Sequence, residues 1–422
     1  MKQYDVIIIG GGTSGAAAGY IAAKIGLKTL IIEKNIHLGG LMTSGLVTPA
    51  MKTSDLGINT EFYTDLIEFS KKYGAQVTYC DGNPGWFNPE LLKIALDDMM
   101  LSVNCDIIYN ANVSNVSVQK SGNFKVKLET DMLSIYYDAE HIVDATGMGK
   151  IAKKLNCDFI DNKIDVQAAT IRFSMSGIDL ETFRDWITEL DKDRNVTTSC
   201  NIDNQVHLST AYTWDINKNW ALRPIFEKAV NNKDLNEEDT AYFQVFTIPG
   251  MPASIVFNCP RILIKNQEEM NNPQIFSKIL AKSRLQIFRF ANFCKKYFQG
   301  FEKAYISNIA DIIGIREQGR VVGQYVYTPD DIVRKRHFKN IALSSDYPID
   351  IHSSTKSDDR LQFTDGNYYL PIESLISKKY DNLFVIGKAV SATFEAQAAL
   401  RVQPSCFSMG EAVAKYIKNK LS

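Results

Sequence analysis

The chain has 422 residues, 45% hydrophobic and 23% charged. That length and composition exclude a disordered, collagen-like or low-complexity scaffold and leave room for two or three folding units. Lys plus Arg number 47 and Asp plus Glu 48, a net charge of −1, too balanced to grip a phosphate backbone, so no nucleic-acid partner is expected.

The opening residues predict strand, turn, helix and strand. Tyr4–Ile9 is a β-branched run of the kind buried on both sheet faces. Gly10–Gly15 breaks it, an Ala-rich helix follows to Lys24, Gly26 closes that helix, and Lys28–Ile32 returns as a parallel strand ending at Glu33. Val6–Ala23 carries no charge over 18 positions, but its five glycines make it neither a membrane span nor a signal peptide, and a cytoplasmic location is expected. Phe62, Leu66, Ile67, Phe69 and Tyr73 mark an amphipathic helix over 59–73. Asn88-Pro89-Glu90 starts another, with Asn88 as N-cap. Short strands over 106–144 read as a small antiparallel insertion that ends in the buried run His141–Ala145.

From Asp165 to Gly300 the chain mixes strand-like runs with a helix from Pro273 to Phe298 and carries Trp186, Trp214 and Trp220. We read an α/β protein: a Rossmann-like doubly wound domain in two parts, 1–164 and 301–422, with an inserted α+β substrate domain at 165–300. After it, Thr328–Asp331 is a capping box, Asn382–Ile386 a buried strand, and 404–419 a final helix with small Gly410 and Ala414 on it.

Gly10-x-Gly12-x-x-Gly15 lies between a strand and a helix, with Glu33 following 23 positions after the first glycine. In that context Gly10 permits a tight turn, Gly12 lets the backbone approach a pyrophosphate, and Gly15 lets helix and strand pack closely. The helix start, at Thr13 and Ser14, offers free N–H groups and the positive dipole end. Glu33 suits a ribose diol and repels a 2′-phosphate. A second small-residue loop, Gly39–Gly45, contains Gly40, Leu41, Thr43 and Ser44; a flavin needs this second backbone approach and a simple NAD domain does not. Ala145-Thr146-Gly147 ends another buried strand, where small residues let the chain pass close to a bound dinucleotide.

With these motifs the chain resembles the FAD-dependent oxidoreductases of the glutathione-reductase-like superfamily, in particular the single-FAD-domain subgroup of fumarate-reductase type. The resemblance covers about residues 3–160 and 305–420. It continues through Ile315–Gly323 with Thr328–Asp331, through Tyr347–His352, through Asn382–Lys388, and through Ser391–Thr393 with Arg401–Cys406. It departs at Gly319, where the subgroup carries arginine, and at Lys388, where many superfamily members carry an acidic residue. It implies FAD as cofactor, held by Gly10, Gly12, Thr13, Ser14, Gly15, Glu33, Lys34, Gly40, Leu41, Thr43, Ser44, Val113, Ala145, Thr146, Gly147, Gly387, Lys388, Val402 and Gln403. The helix after Pro404 would aim its N-terminus at the pyrimidine end of the flavin.

Candidate catalytic residues are His352, Glu395 and Arg401, with a surface or N-cap carboxylate as the alternative for Glu395. Arg223 and Arg261 are candidates for a substrate carboxylate; His207 reads as a core histidine, and Arg334–Lys339 as a solvated helix end. Seven scattered cysteines, none in CxxC spacing, read as reduced thiols, and no metal is expected. Without a CxxC or a second dinucleotide fingerprint, the expected activity is a dehydrogenase or reductase passing a hydride between a small organic substrate and a non-dithiol flavin. NAD(P)H or a separate donor or acceptor completes the redox cycle. A flavin hydroxylase, or a nucleotide-binding module without redox chemistry, is the alternative.

Overall fold

The computed structural model describes residues 2–53, 57–160, 166–213, 220–352 and 360–421. The expected boundary at 164/165, and Trp214, lie outside the described residues. The first sheet has a parallel centre in the order Asp106–Ile108, Thr29–Ile32, Lys2–Ile9, Ser134–Asp144, Leu383–Val385. Ile8 pairs with Ile31 on one side and Val143 on the other, and Val143 with Phe384 beyond. Ile7, Ile8, Ile31 and Ile142 are wholly buried, which explains why these strands read as unbroken apolar runs rather than alternating ones. The architecture is α/β with a Rossmann-like sheet.

The antiparallel insertion expected over 106–144 is narrower than that. Ser134–Ala139, the first half of a long strand, pairs antiparallel with Phe124–Glu129, which pairs in turn with Asn112–Val118. Asp106–Ile108 instead edges the parallel sheet, because Ile107 and Ile108 register against Ile31 and Ile32.

Helices follow from local chemistry. Thr13–Lys24 is Ala- and Gly-rich and packs against the last helix, Gln403–Leu421, at its small residues: a Cβ on Gly410 would stand 2.3 Å from the Ser14 carbonyl oxygen. Asn88 caps Pro89–Ser102, its Oδ1 accepting from the Glu90 and Leu91 N–H groups at 3.0 and 3.2 Å. At the Pro329–Val333 helix the capping box forms, the Thr328 N–H donating to Asp331 Oδ2 at 2.9 Å.

The second sheet is antiparallel, in the order Thr197–Ile202, Gln205–Thr213, Tyr242–Ile248, Met251–Phe257, Phe173–Ser176, Tyr305–Ile309. The chain therefore leaves this sheet only after Ile309, past the expected limit at Gly300. Helices Leu180–Leu190, Arg223–Asn231 and Pro273–Tyr297 cover one face around a core of Phe173, Phe226, Phe243, Phe257 and Phe290. Strand pleating sends neighbours the other way: Arg172 and Gln244 line a cleft beside Phe173 and Phe243, which face the core. Among the described residues no helix is long and apolar enough to cross a membrane.

Candidate functional site

A cleft of about 2130 Å³ runs from the carboxyl ends of the parallel strands to the polar face of the second sheet. Sites in open α/β sheets lie at such strand ends. At one end stands the glycine turn. Gly10 has φ +100°, and a Cβ there would lie 2.6 Å from the Ala145 carbonyl oxygen. A Cβ on Gly12 would meet nothing nearer than the Gly40 Cα at 4.0 Å, so the space above it is open. Gly12 supplies no capping side chain to the helix that follows, which leaves the first-turn N–H groups for an anionic ligand.

Glu33, buried at the end of its strand, accepts from the Gly11 N–H at 2.6 Å and from the Asn35 N–H at 2.8 Å. Its carboxylate thus holds the glycine turn in shape as well as lining the cleft. The second loop enters through Gly40 and Leu41, which line the cleft, while Thr43 donates to the Leu38 carbonyl at 2.7 Å and Ser44 Oγ lies 3.1 Å from His37 Nε2. Asp144 shapes the third approach: Oδ1 accepts from Thr146 Oγ1 at 2.7 Å, and Oδ2 from the Ile151 and Ala152 N–H groups at 2.8 and 3.0 Å. Gly387, with φ +73°, passes so close to Ser14 that a Cβ would be 2.5 Å from its Oγ.

The middle of the cleft is cationic. Lys388 Nζ donates to the Ile315 carbonyl at 2.5 Å, and burial pushes its ammonium down to about 8. Arg172 donates to the Leu46 and Thr48 carbonyls at 3.2 and 2.9 Å, and Arg316 to the Ala168 carbonyl and Thr170 Oγ1. Burial lowers Arg316 to about 9, and the facing Arg401 and Arg261 add to this. Arg261 lies over the Tyr242 ring, 4.7 Å from its centroid, and its Nη2 is 3.1 Å from His352 Nδ1. A guanidinium only donates, so Nδ1 accepts and the His352 proton sits on Nε2, which donates to Asp350 Oδ2 at 3.1 Å. Burial and then Arg316 push His352 down to about 4. The same Asp350 oxygen accepts from Arg401 Nη2 and the Tyr347 hydroxyl, each at 3.2 Å. Burial would raise Asp350, but His352, Arg401 and Arg316 overcome it and hold the carboxyl far below the usual range.

Of the residues singled out in the sequence, Gly10, Gly12, Thr13, Ser14, Glu33, Lys34, Gly40, Leu41, Val113, Ala145, Thr146, Gly147, Gly387, Lys388, Val402, Gln403, His352, Arg401 and Arg261 line this cleft. Gly15 lies beneath it, where a Cβ would stand 1.8 Å from the Gly10 carbonyl oxygen. Thr43 and Ser44 brace their loop from behind, and Arg223 and the buried His207 lie elsewhere. Glu395 does not line the cleft either: it occupies the first turn of the short Phe394–Leu400 helix, and Arg401, just past that helix, is the side chain that does. Gly319 has φ +69°, where an L side chain is strained, and a Cβ there would lie 3.0 Å from the Met148 carbonyl oxygen. Sequence reasoning missed Arg172, Arg316, Tyr242 and Asp350. An arginine inside the apolar run Ala168–Met175 was the available signal for the first.

The FAD dependent oxidoreductase family model matches residues 5–420, and the chain belongs to that family. Its dinucleotide is therefore FAD, and the open Gly12, the uncapped helix start and the buried Glu33 carboxylate fit that group. Thiamine thiazole synthase of Methanococcus aeolicus is 29% identical over 160 residues, covering 34% of this chain and 55% of that protein. Digeranylgeranylglycerophospholipid reductase of Thermoplasma acidophilum is 36% identical over 76 residues, 18% of this chain and 19% of that protein. The chain thus spans about half the length of the first of these relatives and about a fifth of the second. Among solved structures, a geranylgeranyl bacteriochlorophyll reductase-like protein from Thermoplasma acidophilum aligns with TM-score 0.49 at 14% identity, over 100% of this chain and 79% of that one. The flavin-dependent halogenase CmlS aligns with TM-score 0.49 at 12% identity, over 99% and 58%.

Proposed function

We propose that the protein is a dehydrogenase or reductase that moves a hydride between a small organic substrate and FAD, within the glutathione-reductase-like, fumarate-reductase-type branch of its family. The observation that carries this reading is the cleft itself, which joins the glycine turn to the arginine-lined face of the second sheet. Bound FAD supplies a two-electron centre there. Gly10, Gly12, Thr13 and Ser14 hold the pyrophosphate, and Glu33 the ribose, with Lys34 and Val113 beside the adenosine. Gly40, Leu41, Ala145, Thr146, Gly147, Gly387, Lys388, Val402 and Gln403 pass along the flavin half. Gly15, Thr43 and Ser44 shape these segments from behind.

On the substrate side Arg401 is a binding residue. His352, with both ring nitrogens engaged, positions Arg261 and Asp350 rather than transferring a proton. The domain limits follow the two sheets, with the second domain closing over the cleft. Electrons enter from the substrate, from transiently bound NAD(P)H or from a separate carrier; the missing CxxC supports a non-dithiol route. Seven free cysteines support a reducing, cytoplasmic setting.

Anaerobic mixing of the FAD-loaded protein with NADH, NADPH and candidate substrates tests the reading. Bleaching of the flavin band with no hydroxylated product on admitting air is expected; such a product would assign the protein to the hydroxylases instead.

A further inference from the structure

Five of the seven cysteines are buried, and Cys80 and Cys200 are the two that are not. They come from different parts of the fold. Cys80 sits in the turn between the short strands Gln76–Val77 and Trp86–Phe87, and Cys200 in Thr197–Ile202, an edge strand of the second sheet. Strand pleating sends Thr198 and Cys200 to the same face. On that face the Tyr79 hydroxyl lies 2.8 Å from Thr198 Oγ1, and the Tyr79 ring stacks on Trp86 with 4.2 Å between centroids. Trp86 in turn meets, edge-on, the ring of His207, the register partner of Cys200, and Cys200 packs against this cluster. Cys80, the residue after Tyr79, is thereby brought to Cys200, whose thiol is in hydrogen-bond contact with the Cys80 thiol and main chain.

The turn that carries Cys80 is held in place. The Tyr79 N–H donates to the Asn83 carbonyl at 2.9 Å, the Asn83 N–H to Asp81 Oδ1 at 2.8 Å, and Asn83 Nδ2 to the Ala50 carbonyl at 2.9 Å. Cys80 is exposed, so an oxidant in solution reaches it first. Burial, and then the neighbouring Cys80, push the Cys200 thiol up to about 12, so it stays protonated while Cys80 reacts. A solvent-reached thiol with a second thiol against it is the arrangement in which a sulfenic acid condenses to a disulfide. The strand that holds Cys200 continues directly from Val196, and Asp191, Asp193, Asn195 and Val196 line the cleft. A bond between the two sulfurs therefore fastens that wall of the cleft to the turn.

We propose that Cys80 and Cys200 are a peroxide-responsive thiol pair that closes to a disulfide and clamps the edge of the second sheet to the 78–85 turn. Hydrogen peroxide gives one oxygen to the Cys80 sulfur, forming a sulfenic acid and releasing water. The Cys200 sulfur then displaces the sulfenic hydroxyl, which leaves as a second water with the Cys200 proton. Two thiols and one peroxide become one disulfide and two waters, the peroxide taking both electrons. The test starts from full-length protein whose thiols have been reduced with dithiothreitol and freed of the reductant. It is treated with hydrogen peroxide, its peptides are mapped without reductant, and its hydrogen exchange is followed. Expected are a Cys80–Cys200 linked peptide within one chain, loss of two titratable thiols, and several-fold slower exchange over 191–202, all reversed by dithiothreitol. Cys200→Ser should accumulate a Cys80 sulfenic acid that dimedone traps. Cys80→Ser, at an exposed position and so with little cost to the fold, should form no link and show no slowing. No Cys80–Cys200 link in the native chain, whether Cys80 ends as a sulfinic acid or in a bond to another cysteine or another chain, overturns the pair. A linked protein whose exchange over 191–202 is unchanged overturns the clamp.

Discussion

His352 stays neutral because Arg261 donates to one of its nitrogens and burial disfavours its cation. That has a consequence for stability. The unfolded imidazole takes a proton near its ordinary 6.5, the folded one only near about 4, so between those values the unfolded chain binds more protons and stability falls as pH falls. The loss reaches up to about 3 kcal/mol for a shift of that size. Thermal unfolding followed from pH 6.5 to 4 should fall less steeply in His352→Gln than in the native chain; parallel curves would refute the coupling. Glu33→Ala should weaken FAD binding by about 1–3 kcal/mol, since it removes both a ribose acceptor and the partner of the Gly11 N–H. Unchanged FAD affinity would mean that the ribose is held otherwise. Glu33 was legible in the sequence because its job follows from its place at the end of the second strand. Asp350 and Arg316 lay inside recognised stretches, but their roles depend on Arg261, His352 and Arg401 arriving from elsewhere, which no local pattern reports.

Elements were legible where burial writes itself into the pattern. Val6–Ile9, Thr29–Ile32 and Leu383–Val385 are buried on both faces and read as apolar runs. Tyr305–Ile309 is an edge strand of mostly exposed residues, Tyr-Ile-Ser-Asn-Ile, with no apolar run to mark its sheet partner. The small face of the last helix was visible at Gly410 and Ala414, but its partner was not. Gly410 meets the backbone of the helix that starts at the pyrophosphate turn. Gly410→Ala should therefore cost about 1–3 kcal/mol of stability by overpacking and should weaken FAD binding by shifting Ser14. Denaturant unfolding and FAD titration check both. A variant with lowered stability and unaltered FAD affinity would separate the helix contact from the site.

Over the whole molecule, a net charge of −1 conceals the gathering of Arg172, Arg261, Arg316 and Arg401 in one cleft. Overall composition says nothing about a buried cluster assembled across two sheets. The two-sheet layout itself gives the cleft two unlike walls, the ends of the parallel strands on one side and a pleated face of the antiparallel sheet on the other. On the proposed function, the Gly10–Ser14 turn and Glu33 hold FAD in this cleft. Gly12→Val tests it most directly, since a side chain there enters open space above the turn and leaves the fold intact. Titration of apoprotein with FAD, read by quenching of flavin fluorescence, should saturate at a single FAD per native chain and show no uptake by the folded Gly12→Val variant. A native chain that takes up no FAD, or a Gly12→Val chain that binds it equally well, would show that the turn does not hold the cofactor.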